Sequence, residues 1–527
     1  MIWIDRIAKE IGNTPQHIDD MFTPSGYAHI GSLRGPILHD VVYRVLKEQS
    51  DDTIFTYVFN DFDVIDGLTD ELMKTHGQYM GFVLRMVPSP APGYKSFAHF
   101  YTHEMQRILS DLGVNAQYPS SWDMYHEGKF NTTIKTALDN KDKILEIYRR
   151  VAGYKGKTDD WYPFQVICPT CSRLGTTKVT GWDGEKVQFR CEPDMVTWAK
   201  GCGHEGAMSP FNGAGKLPWK VDWPAHWKNM GISFEGAGKD HASRGGSYDI
   251  AFEVVEKVFD APKPYYFPYE FFLLGGKKMS SSKGVGASSK DIHGILPPEV
   301  FRFLIIRTPI ERTIEFNPGD GAILDLFDDY DRCLSAHYDK LEGVKKEGKQ
   351  AEVAGDWARI VELSQVRSLP QKRIFTPRFR TIVNMLKNKN DILATFEQQK
   401  GAPLNDAEKE LLEERTVYAQ VYLKNILGEQ TAYEMIAKAP SDLELNASQK
   451  LFLGELARQL EGRSGEDREE IQNVIFSSMK AHELKPREVF SSLYQVLIGK
   501  PAGPKAADLI LEFGVDAVLK RLKEVAN

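Results

Sequence analysis

Long apolar runs are missing from these 527 residues. Nowhere do 18 or more hydrophobic residues follow one another, so no membrane-spanning helix is expected. Surplus positive charge is missing as well. Sixty-six Lys and Arg stand against 73 Asp and Glu, a net charge of −7, which excludes a polybasic coat for nucleic acid but leaves room for local basic faces. Neither an internal repeat nor an extended low-complexity tract is present. Cysteine is scarce at five, far fewer than a secreted protein of this length built on disulfides would carry. Residues 1–6 interleave charge with apolar side chains, unlike a signal-peptide core, so a soluble cytoplasmic protein is expected. What is there, 42% hydrophobic and 26% charged residues, is globular in type, and at roughly 150 residues per domain it suggests three to four domains.

The first third alternates helical and strand patterns. Residues 33–46 place Leu33, Ile37, Leu38, Val41, Val42 and Val45 at helical spacing, and residues 53–59 (TIFTYVF) read as a buried strand. Residues 97–112 and 131–151 read as helices. The segment 161–216 is rich in Gly, Cys, Trp and turn residues and reads as an inserted small domain, after which α/β character returns, with residues 271–274 as a core strand. Beyond about residue 320 the chain reads as helical, with amphipathic stretches at 357–369, 406–426, 446–461, 466–482 and 505–525 and a polar linker over 342–355. The expectation is an α/β body with an insertion, followed by an all-α part.

Two loops nearly 250 residues apart carry the chemistry. Residues 24–32 (PSGYAHIGS) run from a turn into a helix, whose first amide groups and positive dipole end suit phosphate. Gly26 and Gly31 permit close approach there, and His29 can donate an imidazole N–H to a phosphate oxygen. Residues 275–284 (GGKKMSSSKG) set hydroxyls and lysines on a glycine-bounded loop, placed to offset charge developing on a pyrophosphate leaving group. Either alone reads as a helix cap or a solvated linker; together, in this order, they point to ATP chemistry. Four of the five cysteines form Cys168-x2-Cys171, then Cys191 and Cys202, a spacing that suits one tetrahedral zinc ion, with His204 as an alternative fourth ligand. A structural zinc fits an insertion too small to hold a core of its own. The fifth, Cys333, suggests no role.

The paired loops resemble the HIGH and KMSKS motifs of class I aminoacyl-tRNA synthetases. Their particular forms, PSG before HIGS and then KMSSSKG, resemble those of the class I lysyl-tRNA synthetases. Further pieces agree from end to end: Trp3-Ile4-Asp5, Val221-Asp222-Trp223-Pro224, Phe234-Glu235, Gly238-Lys239-Asp240-His241, residues 245–249, Tyr269-Glu270-Phe271 and residues 490–504. The resemblance implies a Rossmann-like parallel-sheet catalytic domain over 1–310, interrupted at about 150–216 by the zinc-containing insertion. Connecting helices over 311–355 and an all-helical anticodon-binding region over 356–527 would follow. It implies ATP-dependent ligation of L-lysine to tRNA(Lys) through a lysyl-adenylate, with magnesium arriving on ATP.

By the same resemblance His29, Ser32, Lys278 and Lys283 are the catalytic candidates. Pro24, Gly26, Gly31, Gly238, Asp240, Met279 and Ser280 join His29, Ser32 and Lys278 around ATP. Thr23, Trp219, Asp222, Trp223, His241 and Tyr269 are the lysine-binding candidates, since a buried ammonium needs acceptors and gains from aromatic faces. Asp222, Glu235 and Asp61 stay open as the carboxylate for the lysine Nζ. The basic stretch 371–389, with Lys372, Arg373, Arg378 and Arg380 interleaved by Phe375 and Phe379, is the tRNA-binding candidate. Three departures stand out. Ser32 replaces the second His of HIGH, Ser281 replaces the second lysine of KMSKS, and Met21 stands where the family tends to place glycine. Residues 88–100 also lack the ligands of a second zinc site, which is expected to be absent. The remaining expectations are a monomer and lysine activation that is weak until tRNA is added. The alternative on the same scaffold is a glutamyl-type synthetase, which needs a cation in its pocket, with Arg34 available. A shorter nucleotidyltransferase leaves the helical half unexplained, and a non-catalytic paralogue would be expected to lose His29 or Lys278.

Overall fold

The computed structural model describes residues 1–153, 159–275, 294–388, 391–427 and 435–526, the last with gaps at 437, 441–442, 444, 463–467, 483 and 504. The strand His17–Phe22 pairs in parallel with Ile54–Phe59 on one side, and Ile18 bridges in parallel to Phe234 on the other. Ile54–Phe59 continues to the segment at Gln117 and Ser120, while Phe234 continues to Tyr265, and Ala237–Gly238 pairs with Pro268–Tyr269. Counted along the chain, this parallel sheet runs 3-2-1-4-5, with its order reversing between the first and fourth strands. That arrangement opens a crevice at the carboxyl ends of those strands, where open α/β sheets bind ligands.

The helices around the sheet follow from their apolar spacing. Arg34–Lys47 buries Ile37, Leu38, Val41, Val42, Val45 and Leu46. Trp219–Met230 repeats tryptophan every four residues, so Trp219, Trp223 and Trp227 stack along one face with centroid separations of 5.0 and 5.3 Å. Between Gln165 and Lys216 lies the insertion. The strand Gln165–Val166 pairs antiparallel with Gly215–Lys216 at its root, and an antiparallel sheet of Thr177–Trp182, Val187–Cys191 and Glu205–Met208 forms its body. A separate parallel pair, Phe272–Leu274 with Ile314–Phe316, leads out of the catalytic body.

Two compact units are present: Met1–Phe379 with Leu404–Tyr418, and Arg380–Pro403 with Ala419–Asn527. The described part of the second unit is helical, its core built from leucines, isoleucines and valines of Ala447–Leu460, Pro486–Ile498, Ala506–Phe513 and Val515–Ala526. Three helical expectations change in detail. Residues 131–151 form two helices that break at Asn140, which leaves helical geometry at φ −110° and ψ 27°. Residues 505–525 divide at Gly514, whose φ of 82° no other residue type takes readily. The linker expected over 342–355 is helical from Gly348 onward, because Ala358, Val361 and Leu363 give that segment a face to bury. Among the described residues, no helix is long and apolar enough to cross a membrane.

Candidate functional site

A cavity of about 240 Å³ occupies the crevice expected from the strand order. The first strand supplies Asp20 and Met21, the fourth Glu235 to Gly238, and the fifth Tyr269. His29 and Gly31 come from the loop behind the first strand, and Trp219, Trp223, Asp240 and His241 close the side. His29 caps the short helical turn Ile30–Leu33, its Nδ1 accepting the Ser32 amide at 3.1 Å, and that turn runs directly into Arg34–Lys47. The positive end of this long helix therefore faces the cavity. Close packing is enforced at Gly35, where a Cβ would sit 2.6 Å from Tyr269 Oη and 2.8 Å from Asp20 Oδ2. No side chain larger than hydrogen fits between helix and pocket without displacing one of them.

The described part of the pocket is rich in carboxyl groups and poor in fixed cations. Glu235 accepts the Trp223 indole N–H at 2.7 Å and that of Trp227, and burial pushes its carboxyl up to about 8. Burial also raises Asp20, and Asp19 behind it is raised well above the carboxylate range by burial and by Glu235. His39 lies beneath Asp20 with both nitrogens committed. Its Nδ1 donates to the Gly35 carbonyl and its Nε2 accepts the Gly236 amide, each at 2.8 Å. The guanidinium of Arg34 is turned to backbone carbonyls, those of Glu270 at 2.6 Å, Phe271 at 3.1 Å and Arg312 at 3.0 Å, and burial pulls it down to about 10. Trp219 and Trp223 line the same cavity and stack in near-parallel planes, with His241 against both at 6.2 and 5.7 Å. Carboxyl groups and aromatic rings lining one cavity suit an alkylammonium ion.

The structure thus brings His29, Gly31, Trp219, Trp223, Gly238, Asp240, His241 and Tyr269 to one cavity from separate stretches of chain. It places others differently. Pro24 and Gly26 are buried in the turn before His29, and Ser32 contributes to the helical turn; none of the three is among the cavity-lining residues. Asp222 is fully buried away from the lining. It accepts Tyr125 Oη at 2.5 Å and lies 3.3 Å from Lys216 Nζ, so it answers a cation the protein already holds. Asp61 is likewise occupied, by Ser120 Oγ at 2.8 Å and the Trp122 amide at 2.9 Å. Thr23 hydrogen-bonds to Asn60 and Asp63 just outside the lining. Of the three carboxylates left open by sequence, Glu235 reaches the cavity. Asp20 reaches it too and was not anticipated; the Asp19-Asp20 doublet on a strand running into the glycine loop was the available signal. Lys278, Met279, Ser280 and Lys283 lie outside the described residues.

The cysteine cluster assembles in the insertion. All four thiol sulfurs, from Cys168, Cys171, Cys191 and Cys202, lie within 4.8 Å of one another, with two pairs at 3.6 Å. A tetrahedral zinc at about 2.3 Å from each sulfur requires edges of about 3.8 Å, so the donor set fits. Cys202 and not His204 completes this group, and the Cys202 amide lies 3.3 Å from the Cys191 sulfur, a contact that favours thiolate. Four protein ligands leave no open position, so the ion would staple the insertion.

The basic stretch divides by exposure and pairing. Lys372 and Arg373 are exposed. Arg373 pairs with Asp339 at 2.5 Å and Glu342 at 3.0 Å, and Arg378 with Asp328 at 2.9 Å. Arg380 is 5% exposed and lies 3.5 Å from Asp508.

Known proteins resemble the chain along its whole length. The family described as tRNA synthetases class I (K) matches residues 1–367, and an anticodon binding domain matches residues 378–526. A lysine--tRNA ligase of Methanosarcina barkeri is 31% identical over 545 residues, covering 100% of this chain and 98% of the relative. One from Archaeoglobus fulgidus is 30% identical, covering 99% of each, and one from Methanosphaera stadtmanae is 28% identical, also covering 99% of each. With its crevice at the switch point of a parallel sheet, its glycine loop leading into a helical turn capped by His29 and its helical carboxyl-terminal unit, the chain belongs to the class I tRNA synthetases of the lysine type.

Proposed function

We propose that the protein ligates L-lysine to tRNA in two steps. In the first, the lysine carboxylate bonds to the α-phosphorus of ATP and pyrophosphate leaves. In the second, a hydroxyl of the tRNA's terminal adenosine, the 2′-hydroxyl in a class I geometry, attacks the lysyl carbonyl and AMP leaves. One observation carries the choice of amino acid. Asp20 and Glu235 line one cavity with Trp219 and Trp223, and its lining guanidinium, Arg34, is bound to backbone carbonyls. A glutamate side chain would meet two acids there and, among the described residues, no available cation. A lysine ammonium meets the acids directly and packs its methylenes against Trp219 and Trp223.

The roles follow from position. Asp20 and Glu235 hold the side-chain ammonium, while Tyr269 and His241 border the reacting end. Gly238 and Asp240 take the adenosine ribose, the carboxylate accepting its hydroxyls. His29, Gly31, Ser32 and the start of Arg34–Lys47 receive the phosphates. Lys278 and Lys283 neutralise the departing pyrophosphate, and magnesium enters on ATP. Thr23, directly after the strand that carries Asp20 and Met21, borders the amino-acid side, and Pro24 and Gly26 shape the turn that presents His29. Zinc, where bound by the four cysteines, fixes the insertion and takes no part in either step. Lys372, Arg373, Arg378 and Arg380 belong to the tRNA-facing region, of which Lys372 and Arg373 are exposed. Pyrophosphate exchange measured with each amino acid, with and without tRNA, tests the reading. Exchange driven by lysine and dependent on tRNA is expected; exchange driven by glutamate would overturn it.

A further inference from the structure

Lys216 is 4% exposed and stands at the root of the cysteine-bearing insertion. It pairs with Gln165 across the two short strands that close the insertion, and just beyond them the Ile167 amide donates to the Ala214 carbonyl at 2.9 Å. Cys168 follows immediately. The Lys216 side chain leaves the insertion and enters the catalytic body. Its Nζ donates to Asn60 Oδ1 at 2.6 Å and lies 3.3 Å from Asp222 Oδ2 and 3.4 Å from Asp63 Oδ1. Asn60 and Asp63 are the two residues that hold Thr23. Asn60 Nδ2 donates to Thr23 Oγ1 at 3.4 Å and to Asp63 Oδ2 at 3.1 Å, and Thr23 Oγ1 donates to Asp63 Oδ2 at 3.4 Å. The Asn60 amide also reaches the Phe22 carbonyl at 2.8 Å. Thr23 follows the strand that carries Asp20 and Met21 into the cavity and begins the turn that leads to His29.

This is a poor design for stability alone. Burying an ammonium between two carboxylates gains little over a packed apolar trio. Asp63, moreover, is 39% exposed, so one arm of the network opens toward solvent on the side of the turn. What a buried cation does well is fix several acceptors in one arrangement.

We propose that Lys216 is a positioning residue for lysine activation: its ammonium fixes Asn60 and Asp63 around Thr23, so that the seating of the insertion sets the turn between the amino-acid pocket and the phosphate loop. The inference rests on the lysine reading above. It differs from it in naming a residue that touches neither substrate. A residue acting through the turn should alter amino-acid binding more than ATP binding, whereas one serving stability alone should lower the melting temperature and leave the ratio of the two KM values unchanged.

The test uses the full chain with tRNA present, in lysine-dependent pyrophosphate exchange. Lys216→Met paired with Asp222→Asn removes the cation without leaving its buried carboxylate charged, and Lys216→Arg keeps the charge at altered reach. The double variant is expected to raise KM for lysine about tenfold or more, with KM for ATP within about twofold, and Lys216→Arg to recover part of that loss. Thr23→Val serves if the double variant does not fold. It should raise the lysine KM likewise, and adding Lys216→Arg to it should do no further harm, since both act through one hydrogen-bond set. Equal changes in both KM values, or strictly additive effects of Thr23→Val and Lys216→Arg, would overturn the proposal. Absence of lysine-dependent exchange in the unmodified protein would instead refute the lysine reading.

Discussion

Glu235 sits between two indole N–H groups with no cation beside it among the described residues, and its carboxyl is raised from 4.5 to about 8, chiefly by burial. Between those values the folded chain keeps a proton that the unfolded chain has lost. This group therefore favours folding at low pH and disfavours it progressively as pH rises toward 8. A bound lysine ammonium reverses the preference, because it stabilises the carboxylate. Lysine binding at pH 7 should accordingly release a proton, and calorimetry in buffers of differing ionisation enthalpy measures it directly. Glu235→Gln should reduce the release and weaken lysine binding by about 10- to 100-fold, the worth of one charged hydrogen bond. An unchanged proton count in the variant would remove Glu235 from the pocket chemistry. At this scale the sequence disclosed residues whose type already suggests a role, such as His29 beside glycines, paired tryptophans and clustered cysteines. It was silent where partners decide. Asp222 and Glu235 are both acids in aromatic surroundings. Only the fold reveals that Lys216 already answers the first, whereas the second is met by neutral indole groups.

Elements are joined in this protein by a few buried charges. Asp40, on the helix Arg34–Lys47, pairs with Arg302 of Pro298–Ile306 at 2.7 Å, both side chains fully buried. Arg302 also donates to the carbonyls of Leu112 at 3.0 Å and Leu363 at 3.1 Å, so one guanidinium gathers several elements behind the phosphate-facing helix. Asp40→Asn would leave that guanidinium without its counter-charge and should cost about 3–5 kcal/mol, read as a lower midpoint in denaturant. The insertion depends on its thiols in the same way. One zinc per chain is expected by elemental analysis, and chelation or Cys171→Ser should expose residues 168–208 to protease before the rest of the chain, since an insertion this small has little core without its ion. Protection unchanged after the metal is stripped would make the cysteines incidental. The order of elements was readable because apolar periodicity and strand alternation are local properties. The switch-point crevice was not, because it arises from the parallel bridging of Ile18 to Phe234, two segments far apart in the chain.

For the molecule as a whole, a net charge of −7 means that tRNA must be held by local basic faces against a mildly repulsive background. Four cations of the basic stretch differ in what they can offer. Lys372 is exposed, Arg373 and Arg378 are engaged by acidic side chains, and Arg380 is buried beside Asp508. Counterion release predicts that each phosphate contact steepens the dependence of affinity on salt by about one unit in the logarithmic slope. Lys372→Ala should therefore flatten that slope by about one, weaken binding most at low salt, and leave the melting temperature unchanged. Arg380→Ala should do the opposite, lowering stability with no change in slope per folded molecule, because its charge is matched inside the protein. Filter binding of tRNA across about 50 to 200 mM salt, a range over which strongly basic sites lose several decades of affinity, combined with melting curves, separates the two. A slope unaltered by Lys372→Ala would move the tRNA-binding face away from the basic stretch. The exposed lysines elsewhere on the chain would then be the ones to test in the same way.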